Sequence, residues 1–206
     1  MLAGQLTSSF GYRKQLKKIP KSYFWLILPS IFGSVIGAFI LRRTPDSKFL
    51  VIAPILIMIS VILFAFQPYI KQRIYKIPEM VSHSSGPSPG IYLLVFLLSI
   101  YGGYFGAGYG LVMLAILSLT KLRSIHEMNG LKNLCAIVIA VSAIAILSNS
   151  HLINWQYGIT MAIGTAIGGY VGARLAQRIP LGIVRYIVII IGTATAIYLY
   201  SQAHLA

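Results

Sequence analysis

The chain has 206 residues, 57% of them hydrophobic and 10% charged, with a mean hydropathy of +0.81. That composition places it among integral membrane proteins and excludes a soluble globular domain. The net charge is +14, from 17 basic and 3 acidic residues. The basic residues sit in stretches between apolar runs, where they set orientation and meet anionic lipid, and no helix-turn-helix, zinc or RNA-recognition pattern points to nucleic acid.

Residues 1–10 read as the end of a helix whose beginning is absent, and a basic stretch follows at Arg13, Lys14, Lys17, Lys18 and Lys21. The first complete span is expected over 23–41, closed by Arg42 and Arg43, with a turn at Pro45 and Asp46. A second span is expected over 49–70, kinked at Pro54. Residues 71–89 have the composition of a flexible linker, with His83-Ser-Ser-Gly-Pro-Ser-Pro89 at its end.

Residues 90–120 are the unusual stretch. Glycine occupies positions 102, 103, 106, 108 and 110, between two uncharged apolar flanks of about ten residues each. Each flank is too short to cross a bilayer, which takes about 20 residues of helix. Glycine costs about 1 kcal/mol against alanine inside a helix, so one straight helix is disfavoured. The pattern predicts two half-helices joined by a bend at membrane depth. Irregular backbone is tolerated there only where protein covers it or a cavity is wet, and many transporters build substrate sites this way. A polar joint at 121–132 follows, then spans at about 133–148, 155–173 and 184–200. Trp155, Tyr157, Tyr198 and Tyr200 are placed to act as interfacial aromatics.

Gly33-Ser-Val-Ile-Gly37-Ala38 recurs 135 positions later as Gly168-Gly-Tyr-Val-Gly172-Ala173. Arg43 and Pro45 recur in the same register as Arg178 and Pro180. A small-xxx-small pattern alone only lets helices approach, but this longer match indicates two homologous units. The units are a first repeat, 1–70, incomplete at its N-terminus and without its own glycine segment, the 71–89 linker, and a complete second repeat, 90–206. If 90–120 enters and leaves on one side, the basic stretches at 13–21, 71–79, 121–132 and 174–185 all share a face. The positive-inside rule favours that arrangement. The expected fold is therefore all-α: a polytopic transmembrane helical bundle with two inverted repeats, a glycine-broken re-entrant segment and the C-terminus outside.

The helix beginning near Gly110 directs its N-terminus at the bend, where unpaired N–H groups and the helix dipole attract anions. Gly102, Gly103, Gly106, Gly108 and Gly110 either line a substrate path or simply let helices pack. Asn129, Lys132 and Asn133 stand at the start of the next span. A lysine at membrane depth is usually functional; otherwise it reaches to the interface near Glu127. Asn133 either donates to an oxyanion or bonds a neighbouring helix. Ser99, Tyr101, Tyr104 and Tyr109 are candidate cavity linings. His126 and His151 are expected in loops. Cys135, the single cysteine, is expected to be a buried apolar residue.

Asp46, Glu79 and Glu127 are all expected in loops, which argues against a proton- or cation-coupled carrier. No nucleophile–base pair, carboxylate pair or metal spacing appears, so no enzyme, metal or cofactor is called for. The residues support a carrier or facilitator of small anions working by alternating access. The alternative is a non-transporting subunit or truncated remnant that needs a partner chain, for instance as a homodimer.

Gly102-Gly103-x-x-Gly106-x-Gly108-x-Gly110, Asn129-Gly-Leu-Lys-Asn133, Ile153-Asn-Trp155 and the hairpin from Gly168 to Pro180 occur in the order seen in one family. The chain resembles the sulfite exporter TauE/SafE family over 90–200, and over 22–68 in first-repeat form. That resemblance implies a multi-pass permease of the bacterial inner membrane, carrying sulfite, related sulfur oxyanions or organosulfonates. Complete members are similar in having two repeats, and this chain departs by lacking the first glycine segment.

Overall fold

The structure is a computed structural model that describes residues 16, 19–66, 86–120, 122, 125–148, 155–176 and 181–205. Among these residues it is all-helical, with seven α-helices and one 3-10 segment. The 3-10 turn Lys21–Leu26 leads into α1, Ile27–Arg43. Arg42 and Arg43 lie in its last turn, where cations oppose the negative end of the helix dipole. Thr44 then turns extended because Pro45 disfavours helical backbone at the residue before it. Helix α2, Asp46–Ala65, runs on through Pro54. The rest of its expected span, at 67–70, lies outside the described residues, as do Glu79, His151, Arg178 and Pro180.

The glycine-rich stretch forms two helices. Helix α3 is Pro89–Tyr104 and α4 is Tyr109–Ser118. Pro89 suits the first position of α3, where its fixed φ is already helical and its missing N–H has no partner to lose. Between the helices Gly106 and Gly108 both have φ of +74°, a left-handed conformation that strains any residue with a Cβ. Helix α5 is Ile125–Ser148, α6 is Trp155–Ala176 and α7 is Leu181–Leu205. Three segments among the described residues are long and apolar enough to cross a membrane: Lys21–Arg43, Ser47–Ala65 and His126–Ser148. Helices α3 and α4, of 16 and 10 residues, are too short to do so alone.

Helix α1 is the centre of the packing. It lies along α3 and against α5, while α4 fits between α3 and α5, and α2 pairs with α7. One buried cluster takes in Ile19 and Tyr23 from before α1, Ile91 and Val95 from the start of α3, Ile116 and Leu117 from the end of α4, and Leu122. Met128, Leu131 and Cys135 of α5 complete it, so Cys135 is buried as expected.

The two copies of the repeated motif have different surroundings. In α1 a Cβ at Gly37 would collide with the Ile100 carbonyl oxygen and lie 2.8 Å from Tyr104 N. Gly103 is the reciprocal contact, since a Cβ there would collide with the Ser34 carbonyl oxygen and lie 2.7 Å from Ser34 Cα. On α6 a Cβ at Gly168 would meet nothing within 4 Å. The described side chains of α6 are exposed, and α6 has no extended packing against the other described helices.

Two expectations need correction at α5. Its helix begins at Ile125, so most of the expected polar joint at 121–132 is its opening turns, His126 and Glu127 included. Glu127 is buried, at 6% exposure, rather than standing in a loop. A first turn need not be apolar to be helical, because a carboxylate there is stabilised by the helix dipole. The contention that the chain keeps every acid out of the bundle therefore fails for Glu127.

Candidate functional site

The bend is closed by its own backbone before any side chain is considered. Phe105 N and Gly106 N both donate to Tyr101 O, at 2.8 and 3.1 Å. Tyr109 N donates to Gly106 O at 3.3 Å and Leu111 N to Gly108 O at 3.0 Å. Two of the first three N–H groups of α4 are thus occupied locally, so the expected row of unpaired donors is only partly present. What α4 still directs at the bend is the positive end of its dipole.

A second layer ties the bend to α2. Tyr101 Oη donates to Ala107 O at 2.5 Å. Ser60 Oγ lies 3.2 Å from both Ala107 O and Tyr101 Oη, and 2.8 Å from its own Leu56 O. Tyr101 is therefore a strut, and Tyr101→Phe should lower the melting temperature. A membrane interhelical hydrogen bond averages about 0.6 kcal/mol, and about 1–2 kcal/mol is expected for the pair lost here. A thermal melt in detergent would show it; an unchanged melting point would mean the strut contributes nothing.

On the α5 side the picture is polar. Asn129, Lys132 and Asn133 have the i, i+3, i+4 spacing that puts them on one helix face. Lys132 Nζ donates to Asn129 Oδ1 at 2.9 Å, and both residues make further interactions. Asn133, on the same face, is buried. A methyl group placed on Gly110 would lie 3.5 Å from Lys132 Cδ and 3.9 Å from Nζ. The lysine stem thus lies across the first turn of α4, and its ammonium is held near the positive end of that helix. Two like-signed fields converge there, which suits an anion.

The five glycines divide their work. Gly110 admits Lys132, Gly106 and Gly108 make the turn, and Gly102 leaves a notch for Tyr109, whose Cδ2 would be 3.2 Å from a Cβ there. Gly103 faces away, into the α1 seam, and so packs helices rather than lining the Lys132 side. Ser99 is likewise in that seam, buried and donating to Val95 O at 2.6 Å. Tyr101 and Tyr104 line a different space, a groove of about 410 Å³ shared with Ile40, Thr44, Ile52 and Leu97. That groove is almost wholly apolar and offers an anion little. No cluster of three metal-ligating side chains occurs among the described residues.

Comparison with known proteins bears on the whole chain. The family model "Sulfite exporter TauE/SafE" matches residues 1–199. No curated protein and no solved structure matches. With the apolar helices and the family match together, this chain is an integral membrane protein and belongs to the sulfite exporter TauE/SafE family.

Proposed function

We propose that the protein is a permease for small sulfur oxyanions, with sulfite as the representative substrate, and that the anion binds where the α4 N-terminus meets Lys132. The observation that carries this reading is the lysine laid across Gly110 at the glycine bend. Asn129 and Asn133 complete the site: one orients the ammonium and the other brings a buried amide to the same helix face. The family supplies the class of cargo and the geometry supplies a cationic, donor-rich place for it.

Transport would proceed by alternating access, with the units 1–70 and 90–206 moving against each other around the 71–89 linker. The shared burial of Ile91, Leu117 and Leu122 supports a segment that enters and leaves on one side of the membrane. On that reading the basic loops face the cytoplasm and the membrane is the bacterial inner membrane.

Asn129→Asp tests the site with little change of shape. It sets a carboxylate at the position now 2.9 Å from the Lys132 ammonium and cancels the local charge. Flux of labelled sulfite into proteoliposomes at low substrate should fall by roughly tenfold or more, since about 1.4 kcal/mol is a factor of ten and a close charge pair is worth more than that at protein-like dielectric. Unchanged flux would remove the anion site from this end of α5.

A further inference from the structure

Among the described residues one buried side-chain polar atom has no hydrogen-bond partner: the hydroxyl of Tyr109. Tyr109 itself is 6% exposed. The buried serine hydroxyls are satisfied, Ser30 by Leu26 O, Ser34 by Ile31 O and Ser99 by Val95 O. A buried donor without an acceptor is destabilising, and more so in a bilayer, where no water is at hand. Phenylalanine would fill the same notch at Gly102 without that cost. A hydroxyl kept there at that cost points to an acceptor supplied by a bound ligand.

The position says what kind of partner. Tyr109 is the first residue of α4, between Gly108 at φ +74° and Gly110 beneath the Lys132 stem. Its ring lies against Gly102 of α3, a spot that Ile139 of α5 also borders. Tyr109 and Gly110 are consecutive, so the residue with the unpaired O–H and the residue beneath the lysine stem share the N-terminus of α4. The O–H needs an acceptor, and the helix terminus and the ammonium both favour negative charge nearby. An anion with several oxygens, one for the cation and another for the phenol, meets all three at once.

We propose that the Tyr109 hydroxyl is a specificity-determining donor that hydrogen-bonds one oxygen of the transported oxyanion. This rests on the anion-site reading above. The hydroxyl is sealed from solvent in this conformation. The anion therefore reaches it only after the bend shifts, and the left-handed glycines on either side of Ala107 allow that movement. Tyr109 would then grip the substrate in the occluded state, while Lys132 attracts it from the start.

The test uses the full chain in proteoliposomes with labelled sulfite, and a thermal melt with and without sulfite. Tyr109→Phe should raise the KM for sulfite roughly tenfold, the loss expected for one hydrogen bond to a charged group. The melting temperature without sulfite should hold or rise, because an unsatisfied donor has gone, and the stabilisation by added sulfite should shrink. A wild-type KM in Tyr109→Phe overturns the proposal. So does a fall in melting temperature without sulfite that accounts for the lost flux, since that marks a structural role. Lys132→Met separates the two levels. If it removes flux while Tyr109→Phe behaves as wild type, only the Tyr109 assignment fails. If Lys132→Met transports normally, or if wild-type protein neither binds nor moves sulfite, the anion-site reading fails and Tyr109 with it.

Discussion

Gly37→Leu should leave little folded protein, and Gly33→Leu the same. At Gly37 the three atoms nearest a Cβ are all backbone: the Ile100 carbonyl oxygen, Tyr104 N at 2.8 Å and Gly103 C at 3.0 Å. At Gly33 the neighbours are Phe96 O at 2.5 Å, Ser99 Cβ at 2.8 Å and Ile100 N at 3.1 Å. A flexible side chain can swing aside, but a helix backbone cannot, so α1 and α3 must separate along their length. In a bilayer, helices are held together by close packing rather than by a hydrophobic gain, so separation removes the main attraction between them. Overpacking a soluble core by a methylene costs about 1–3 kcal/mol, and a whole leucine against two backbones should exceed the upper figure. The repeat supplies a matched control. Gly168 stands 135 positions after Gly33 at the matching place in the recurring motif, and nothing lies within 4 Å of a Cβ there. Gly168→Leu should therefore give near wild-type yield and melting temperature by size-exclusion chromatography and thermal melt in detergent. If Gly168→Leu is as damaging as Gly33→Leu, the open face of α6 is covered in the working protein and the contrast drawn from the structure is wrong.

That contrast shows how far sequence carried the fold. The spans at 23–41 and 133–148 were legible because a bilayer imposes a minimum apolar length, and α1 and α5 occupy those positions. The break in 90–120 was legible because five glycines together make a continuous helix too costly, and α3 and α4 are separated there. What each glycine does was not legible. Gly103 and Gly110 are the same letter, yet one touches Ser34 backbone and the other a lysine stem, and only the fold decides which. The tyrosines divide in the same way: Tyr101 is tied to Ala107, while Tyr109 has no partner for its hydroxyl. The start of α5 was misplaced because hydropathy marks where a helix becomes apolar, not where its hydrogen bonding begins. Ile125–Gly130 is polar enough to look like a joint, and its burial of Glu127 depends on neighbours that no local pattern reveals.

Lys132→Met should cut sulfite flux by between about tenfold and a hundredfold while the protein stays folded. The range follows from a hydrogen bond to a charged group, worth about 1.5–3 kcal/mol, at about 1.4 kcal/mol per factor of ten. Methionine is the informative replacement because it keeps an unbranched stem across Gly110 and removes only the charge. Alanine would also empty the space beside α4, where Lys132 Cδ is 3.5 Å from a Cβ on Gly110, and would mix a packing defect with an electrostatic one. The opposite face of the same contact gives the complementary test. Gly110→Ala meets Lys132 only at ordinary van der Waals distance and favours helix, so folding and flux should survive. Gly110→Leu must push the lysine stem aside, and because that stem is flexible, the fold should survive while flux falls. Folded Gly110→Leu and Lys132→Met proteins that both fail to move sulfite would tie transport to the ammonium at that helix terminus. If Lys132→Met moves sulfite at the wild-type rate, the lysine has a structural role, its bond to Asn129 included, and the glycine bend is packing alone.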